Sequence, residues 1–154
     1  FIFIGLMNDN GEPKVIEYNV RMGDPETEVV IPRIKSDLLE TFIAVADKKL
    51  ASLKFELDNR IATTLMMVAG GYPGDYEKGK VISGLENVKD AMAFHAGTKS
   101  ENGNIVTNGG RIIAFTAFGN SIEDAVKLSY AAANEVKFAG CYFRKDIGQD
   151  LMKL

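Results

Sequence analysis

The chain has 154 residues, enough for one compact domain or two small pieces, and its 46% hydrophobic and 25% charged content is that of an ordinary globular protein. A net charge of −3 argues against a nucleic-acid role driven by bulk charge, although a few local cations suffice for a phosphate ligand. Cys141 has no partner for an internal disulfide, which fits a reducing, cytoplasmic setting, and with the single His95 it speaks against a zinc site. No apolar run approaches the ~20 residues of a membrane helix, and no secretory n-region precedes a cleavage site. Because Phe1 lies inside an apolar strand with no initiator Met, the chain is expected to be a C-terminal piece of a longer protein, with Leu154 at or near its true C-terminus.

Phe1–Met7 reads as a strand. Asn8-Asp9-Asn10-Gly11 is a tight turn, and Lys14–Val20 returns as the second strand of a hairpin. Ile16, Tyr18 and Val20 share a face that suits a core, while Val15, Glu17, Asn19 and Arg21 share the other. That polar face presents a carboxylate, an amide and a guanidinium about 6.6–6.8 Å apart per two-residue step. Glu17 and Asn19 offer oxygen donors of the kind Mg²⁺ prefers, and the Arg21 fork fits carboxylate or phosphate oxygens. Gly23-Asp24-Pro25-Glu26 then ends the strand. Together these residues read as a Mg²⁺ site beside an anion site at a strand end; a solvated charged strand face is the bland alternative.

Thr27–Pro32 is short and apolar. Ser36 is the expected N-cap of a core-forming helix whose Leu38, Leu39, Phe42, Val45, Ala46 and Leu50 recur at helical spacing, with Lys48 and Lys49 at its C-terminal end. Residues 54–60 are polar and mark a boundary. Ile61–Ala69 is β-rich and leads into Gly70-Gly71-Tyr72-Pro73-Gly74-Asp75-Tyr76, a loop flexible enough for close backbone approach to a ligand or simply a set of turns. His95 has no nucleophile-elbow serine to form a triad with, and reads equally as a hydrogen-bonded strand-end residue or a ligand contact. Asn102-Gly103-Asn104 is a turn before the short strand Ile105–Thr107. Thr107-Asn108-Gly109-Gly110-Arg111 reads as a tight hairpin feeding the strand Ile112–Phe118. Ser121 caps a packing helix running from Ile122 to Val136, with Asp124 in a weakened capping box. Phe138–Phe143 is a last apolar stretch before Arg144 and Lys145.

The run Glu17-Tyr18-Asn19-Val20-Arg21-Met22-Gly23-Asp24-Pro25-Glu26-Thr27-Glu28 closely resembles the signature of the phosphoribosylamine–glycine ligase (glycinamide ribonucleotide synthetase) family of ATP-grasp ligases. The blocks Ala69–Tyr76, Phe94–Thr98, Thr107–Arg111 and Arg144–Gly148 resemble that family in the same order, so the resemblance spans essentially the whole chain. It implies an α+β fold: residues 1–57 as the C-terminal part of an ATP-grasp domain, antiparallel strands plus a helix, and residues 58–154 as a small α+β C-terminal domain. It implies ATP-dependent joining of glycine to 5-phosphoribosylamine through glycyl phosphate, in de novo purine synthesis, with the rest of the nucleotide site in a missing N-terminal part. By the same resemblance Glu17 and Asn19 are ligands of Mg²⁺ (or Mn²⁺), and Arg21 is catalytic, stabilising the transferring phosphoryl group or the acyl phosphate. Gly23, Asp24, Pro25 and Glu26 flank the pocket for glycine and ribosylamine. Gly97, Thr98, Asn108, Gly109, Gly110 and Arg111 are substrate-binding candidates on a domain that closes over the sugar phosphate. Neither nucleic acid nor membrane is expected as a partner. The alternatives are another ATP-grasp ligase of purine synthesis and a non-catalytic binding or dimerisation module.

Overall fold

In the computed structural model, which describes residues 1–153, the chain opens with an antiparallel ribbon of β1 (Phe3–Asp9) and β2 (Glu12–Asn19). Leu154, and with it the expected chain end, lies outside the described residues. Asn10 and Gly11 connect the strands with φ of 53° and 93°. A two-residue loop matching the strand twist needs both angles positive, and Asn-Gly supplies them cheaply. Glu17 pairs with Gly5 and Val15 with Leu6, so Ile16 is an extra residue in β2, and β2 ends at Asn19, before Arg21. The expected core face on this strand is corrected: Ile16 and Tyr18 are exposed, and Val20 is 91% exposed. A two-stranded ribbon has no further strand or layer over it, so alternation alone cannot bury a face.

Beyond the ribbon come the single-turn α1 (Thr27–Val30), a 3₁₀ turn at Ile31–Arg33, and α2 (Leu38–Ala46). The cap of α2 is Asp37, whose carboxylate accepts the Glu40 N–H at 2.9 Å. Ser36, expected in that role, instead accepts the Glu56 N–H at 2.7 Å. Nor does α2 form a core. None of its residues is buried, and its apolar side, with Phe1 and Phe55, lines an open groove of about 440 Å³.

The core begins at β3 (Ile61–Val68), continues through β4 (Met92–His95), and passes a side hairpin of β5 (Thr98–Glu101) and β6 (Asn104–Thr107) before reaching β7 (Arg111–Gly119). β7 is the centre of a three-stranded antiparallel sheet in the order β3-β7-β4, and every residue from Ile112 to Ala117 is buried. The long amphipathic α3 (Ile122–Glu135) buries Ala125, Val126, Ser129, Ala132 and Ala133, as its spacing predicts. Ser121 caps it by accepting the Asp124 N–H at 3.1 Å. The hairpin expected at Thr107–Arg111 is corrected: β6 pairs with β5 and β7 with β3 and β4, so this turn carries the chain between sheets. β5 was not expected, because Thr-Lys-Ser-Glu carries no apolar alternation; it forms through its turn, where Asn102 and Gly103 again take positive φ.

Among the described residues, all buried apolar residues lie between Leu65 and Phe138, whereas Gly23 is the only buried residue among positions 1–60.

Candidate functional site

The end of β2 turns sharply at Gly23, which is buried. Its carbonyl accepts both the Thr27 N–H at 3.1 Å and the Thr27 hydroxyl at 2.8 Å, closing a turn in which the Asp24–Pro25 peptide is cis. A Cβ at Gly23 would run into the Glu26 carboxylate, 2.7 Å from its carbon, so the missing side chain lets Glu26 fold back over the turn. The result is a cavity of about 510 Å³ lined by Phe3, Glu17, Arg21, Met22, Gly23, Asp24, Glu26, Thr27 and Arg111.

Three carboxylates and two guanidiniums therefore face one space. Arg21 donates to the Met22 carbonyl at 3.0 Å and pairs with no carboxylate among the described residues. Arg111 reaches across from the start of β7, 87 positions along the chain from Asp24. One of its nitrogens lies 2.9 Å from Asp24 Oδ2 and another donates to the Asp24 carbonyl at 3.2 Å. Asn19 is half-buried and outside the cavity lining, and its Nδ2 is buried with no hydrogen-bond partner.

The remaining sequence candidates stand behind Arg111. The Gly97 N–H donates to the Arg111 carbonyl at 2.8 Å, and the Asn108 N–H donates to the Gly97 carbonyl at 2.7 Å. Gly97 and Gly109 lie so close that a Cβ on Gly97 would sit 2.7 Å from Gly109 Cα. Gly110 lies against the Tyr72 ring, and its carbonyl accepts the Ala69 N–H at 2.8 Å. Thr98 Oγ1 is 2.9 Å from His95 Nδ1, so the lone histidine is a hydrogen-bonded strand-end residue. None of Gly97, Thr98, Asn108, Gly109 and Gly110 lines the 510 Å³ cavity. Their glycines fit backbone against backbone and ring, which places Arg111.

Arg144 forms a two-pronged pair with Asp146 at 2.9 and 2.7 Å; the guanidinium pulls the Asp146 carboxyl below its ordinary value, and the carboxylate raises Arg144. Spacing does not identify Phe3, Met22 or Thr27 as cavity walls; for Met22 and Thr27 the available signal is membership of the same ungapped run as Gly23. Thr116 was also missed. Buried in an apolar strand, it donates to the Glu28 carbonyl at 2.8 Å, and no sequence pattern announces that reach.

For a hard divalent ion, the fit is partial. Glu17 and Asn19 carry oxygen donors, but Asn19 lies outside the cavity that Glu17 lines, and its unpartnered buried atom is the amide nitrogen Nδ2, which donates hydrogen bonds and does not ligate a cation. Among the described residues no cluster of three or more His, Cys, Asp or Glu could hold a metal ion. No helix among the described residues is long and apolar enough to cross a membrane.

Residues 62–150 match the family described as phosphoribosylglycinamide synthetase, C domain. The chain is 47% identical over 151 residues to the phosphoribosylamine–glycine ligase of Vibrio vulnificus, covering 96% of this chain and 35% of that protein. It is 45% identical to a bifunctional purine biosynthetic protein of Pichia angusta, covering 99% of this chain and 20% of the relative. The crystal structure of phosphoribosylamine–glycine ligase from Thermotoga maritima superposes with a TM-score of 0.75 at 35% identity, covering 94% of this chain and 36% of that one. Urea carboxylase of Kluyveromyces lactis shares the fold at a TM-score of 0.64 and 16% identity, covering 97% of this chain and 14% of that one. The chain thus spans about a third of the length of the ligases it matches.

Proposed function

The chain belongs to the phosphoribosylglycinamide synthetase C-domain family, and from that membership we propose that it is the C-terminal part of a cytoplasmic enzyme that joins glycine to 5-phosphoribosylamine at the expense of ATP. In that reaction the glycine carboxylate is phosphorylated to glycyl phosphate with release of ADP. The ribosylamine nitrogen then attacks the acyl carbon, and phosphate leaves as glycinamide ribonucleotide forms. The observation carrying this reading is the cavity at the β2 end, where Glu17, Arg21, Asp24 and Glu26 converge in the order the family signature prescribes.

Each side chain has a physical task there. Bringing a carboxylate to a phosphoryl group requires neutralising two sets of negative oxygens. Arg21, with no carboxylate partner among the described residues, is placed to take the phosphoryl or acyl-phosphate oxygens in its planar fork. Glu17 and Asn19 would hold Mg²⁺ or Mn²⁺, which supplies Lewis-acid neutralisation of phosphate charge when bound. Glu26 makes the cavity wall beside Arg21 anionic, which suits the amine of the incoming nucleophile, while the Asp24 carboxylate is paired with Arg111. Pro25 and Gly23 shape the turn that holds them. Gly97, Thr98, Asn108, Gly109 and Gly110 build the C-terminal rim from which Arg111 projects over the same cavity.

The division into a residual ATP-grasp part, residues 1–57, and a C-terminal domain, residues 58–154, is supported by burial. The second part contains every buried apolar residue among those described, while the first exposes Ile16, Tyr18, Val20 and Leu39 as surfaces suited to pack against an upstream portion of the same polypeptide. Adenine and most of the phosphate contacts belong to that portion, so the 154-residue chain is not expected to turn over alone.

The test is Glu17→Ala and Asn19→Ala in the intact polypeptide, assayed for ADP and glycinamide ribonucleotide together. Losing one preorganised electrostatic group costs about 100-fold or more in kcat. Activity retained in both variants would refute the assignment of the pair.

A further inference from the structure

We propose that Arg111 is a positioning residue: acting through Asp24, it fixes the Gly23–Glu26 turn beside Glu17 and Arg21 and leaves substrate binding to others. The inference rests on the reading above and reassigns Arg111 from the substrate contact that the resemblance implies.

Three observations carry it. First, two donors of one guanidinium are spent on one residue, on its carboxylate at 2.9 Å and on its own carbonyl at 3.2 Å. A planar fork that grips both side chain and backbone fixes the residue's orientation as well as its place. Second, the two ends differ in rigidity. Arg111 opens β7, the central strand, buried from Ile112 to Ala117, with its carbonyl held by Gly97. Asp24 sits in a stretch where Gly23 alone is buried. Third, connections are few. Among the described residues, only Arg111 and Thr116, both on β7, make side-chain hydrogen bonds back to residues 1–60, at Asp24 and Glu28. Both bonds fall on the turn and the helical turn after it, so β7 serves as a ruler against which that segment is set.

The side chains of Arg111 and Asp24 are 39% and 58% exposed, and an ion pair that open adds little to folding. Its consequence is geometric. A displacement of about 1 Å in a group that orients reactants can cost about 100-fold in rate.

The experiment uses the intact polypeptide, with Arg111→Met, Arg111→Lys, Asp24→Ala and the Arg111→Met/Asp24→Ala double variant. Turnover is measured with glycine, phosphoribosylamine and ATP. Arg111→Met should lower kcat about 100-fold with little change in KM for phosphoribosylamine. Arg111→Lys, which keeps one donor and the charge, should recover part of that loss. The double variant should be no worse than the weaker single one, since both remove the same connection. Hydrogen exchange without substrates provides the second readout. In Arg111→Met the amides of Thr27 and Val30, which bond to the Gly23 and Glu26 carbonyls, should exchange faster, while those of β7 stay protected. A double variant whose loss is the product of the single losses, or a raised KM with turn exchange unchanged, would overturn the proposal. If the intact protein makes no glycinamide ribonucleotide, the reaction assignment falls, and substrate-free exchange alone decides the positioning role.

Discussion

Gly97→Ala measures whether the second glycine-rich turn serves packing. The added Cβ would collide with the Arg111 carbonyl oxygen and sit 2.7 Å from Gly109 Cα, 0.7 Å short of the 3.4 Å at which ordinary contact begins. Both obstacles are backbone, so neither can rotate aside, and the Gly97–Arg111 and Asn108–Gly97 hydrogen bonds stretch as the strands part. Forced separation of packed atoms costs about 1–3 kcal/mol, and each of the two weakened bonds about 0.5–1.5, so the total is about 2–6 kcal/mol. For a protein of this size that is a drop in Tm of about 4–24 °C, followed by circular dichroism on the 154-residue chain. Two comparison variants isolate the cause. Gly109→Ala, whose Cβ would stand 2.9 Å from Gly97 Cα, should cost less. Gly103→Ala has open space around it but a φ of 78°, so it should cost only the about 1–2 kcal/mol of left-handed strain. A Gly97→Ala chain that melts with the parent, or no lower than Gly103→Ala, would refute the close-packing account and return these glycines to ligand approach.

Phe115→Ala should be the most damaging single truncation in β7, at about 3–5 kcal/mol in urea unfolding, because Phe115 is fully buried at the centre of the sheet. Asp58 is held well below its ordinary value of 3.8 by side-chain and backbone hydrogen bonds from Arg60. A depressed carboxyl stabilises the fold above 3.8 and loses that contribution as pH falls through its folded value. Asp58→Asn should therefore flatten the acid limb of the stability profile below pH 3.8 and leave its shape near neutrality unchanged, as read by thermal melts across pH. The 154-residue chain by itself should show a cooperative melt from its 61–143 core yet release no ADP from ATP with glycine and phosphoribosylamine; ADP release would contradict the proposed division of the nucleotide site.

Local chemistry was legible wherever the determinant is short-range. Asn-Gly pairs at 10–11 and 102–103 encode their hairpins because few residues tolerate two successive positive φ angles. Ser121 and the apolar stripe of α3 encode that helix for the same reason of proximity, and the Glu17–Glu28 run contains the cavity-lining residues other than Phe3 and Arg111. Burial depends on what lies across the chain, and here pattern alone misled. Ile16, Tyr18, Val20 and the apolar side of α2 have the periodicity of core residues, yet no second layer covers them. The Asn108-Gly109-Gly110 turn carries hairpin chemistry, but contact between Gly97 and Gly109 sends it from one sheet to another. Most of all, the meeting of Asp24 with Arg111, and of Glu28 with Thr116, joins residues 87 and 88 positions apart. No spacing rule reaches that far. Their encounter follows from β7 occupying the middle of the sheet, a placement that strand pairing in three dimensions alone settles.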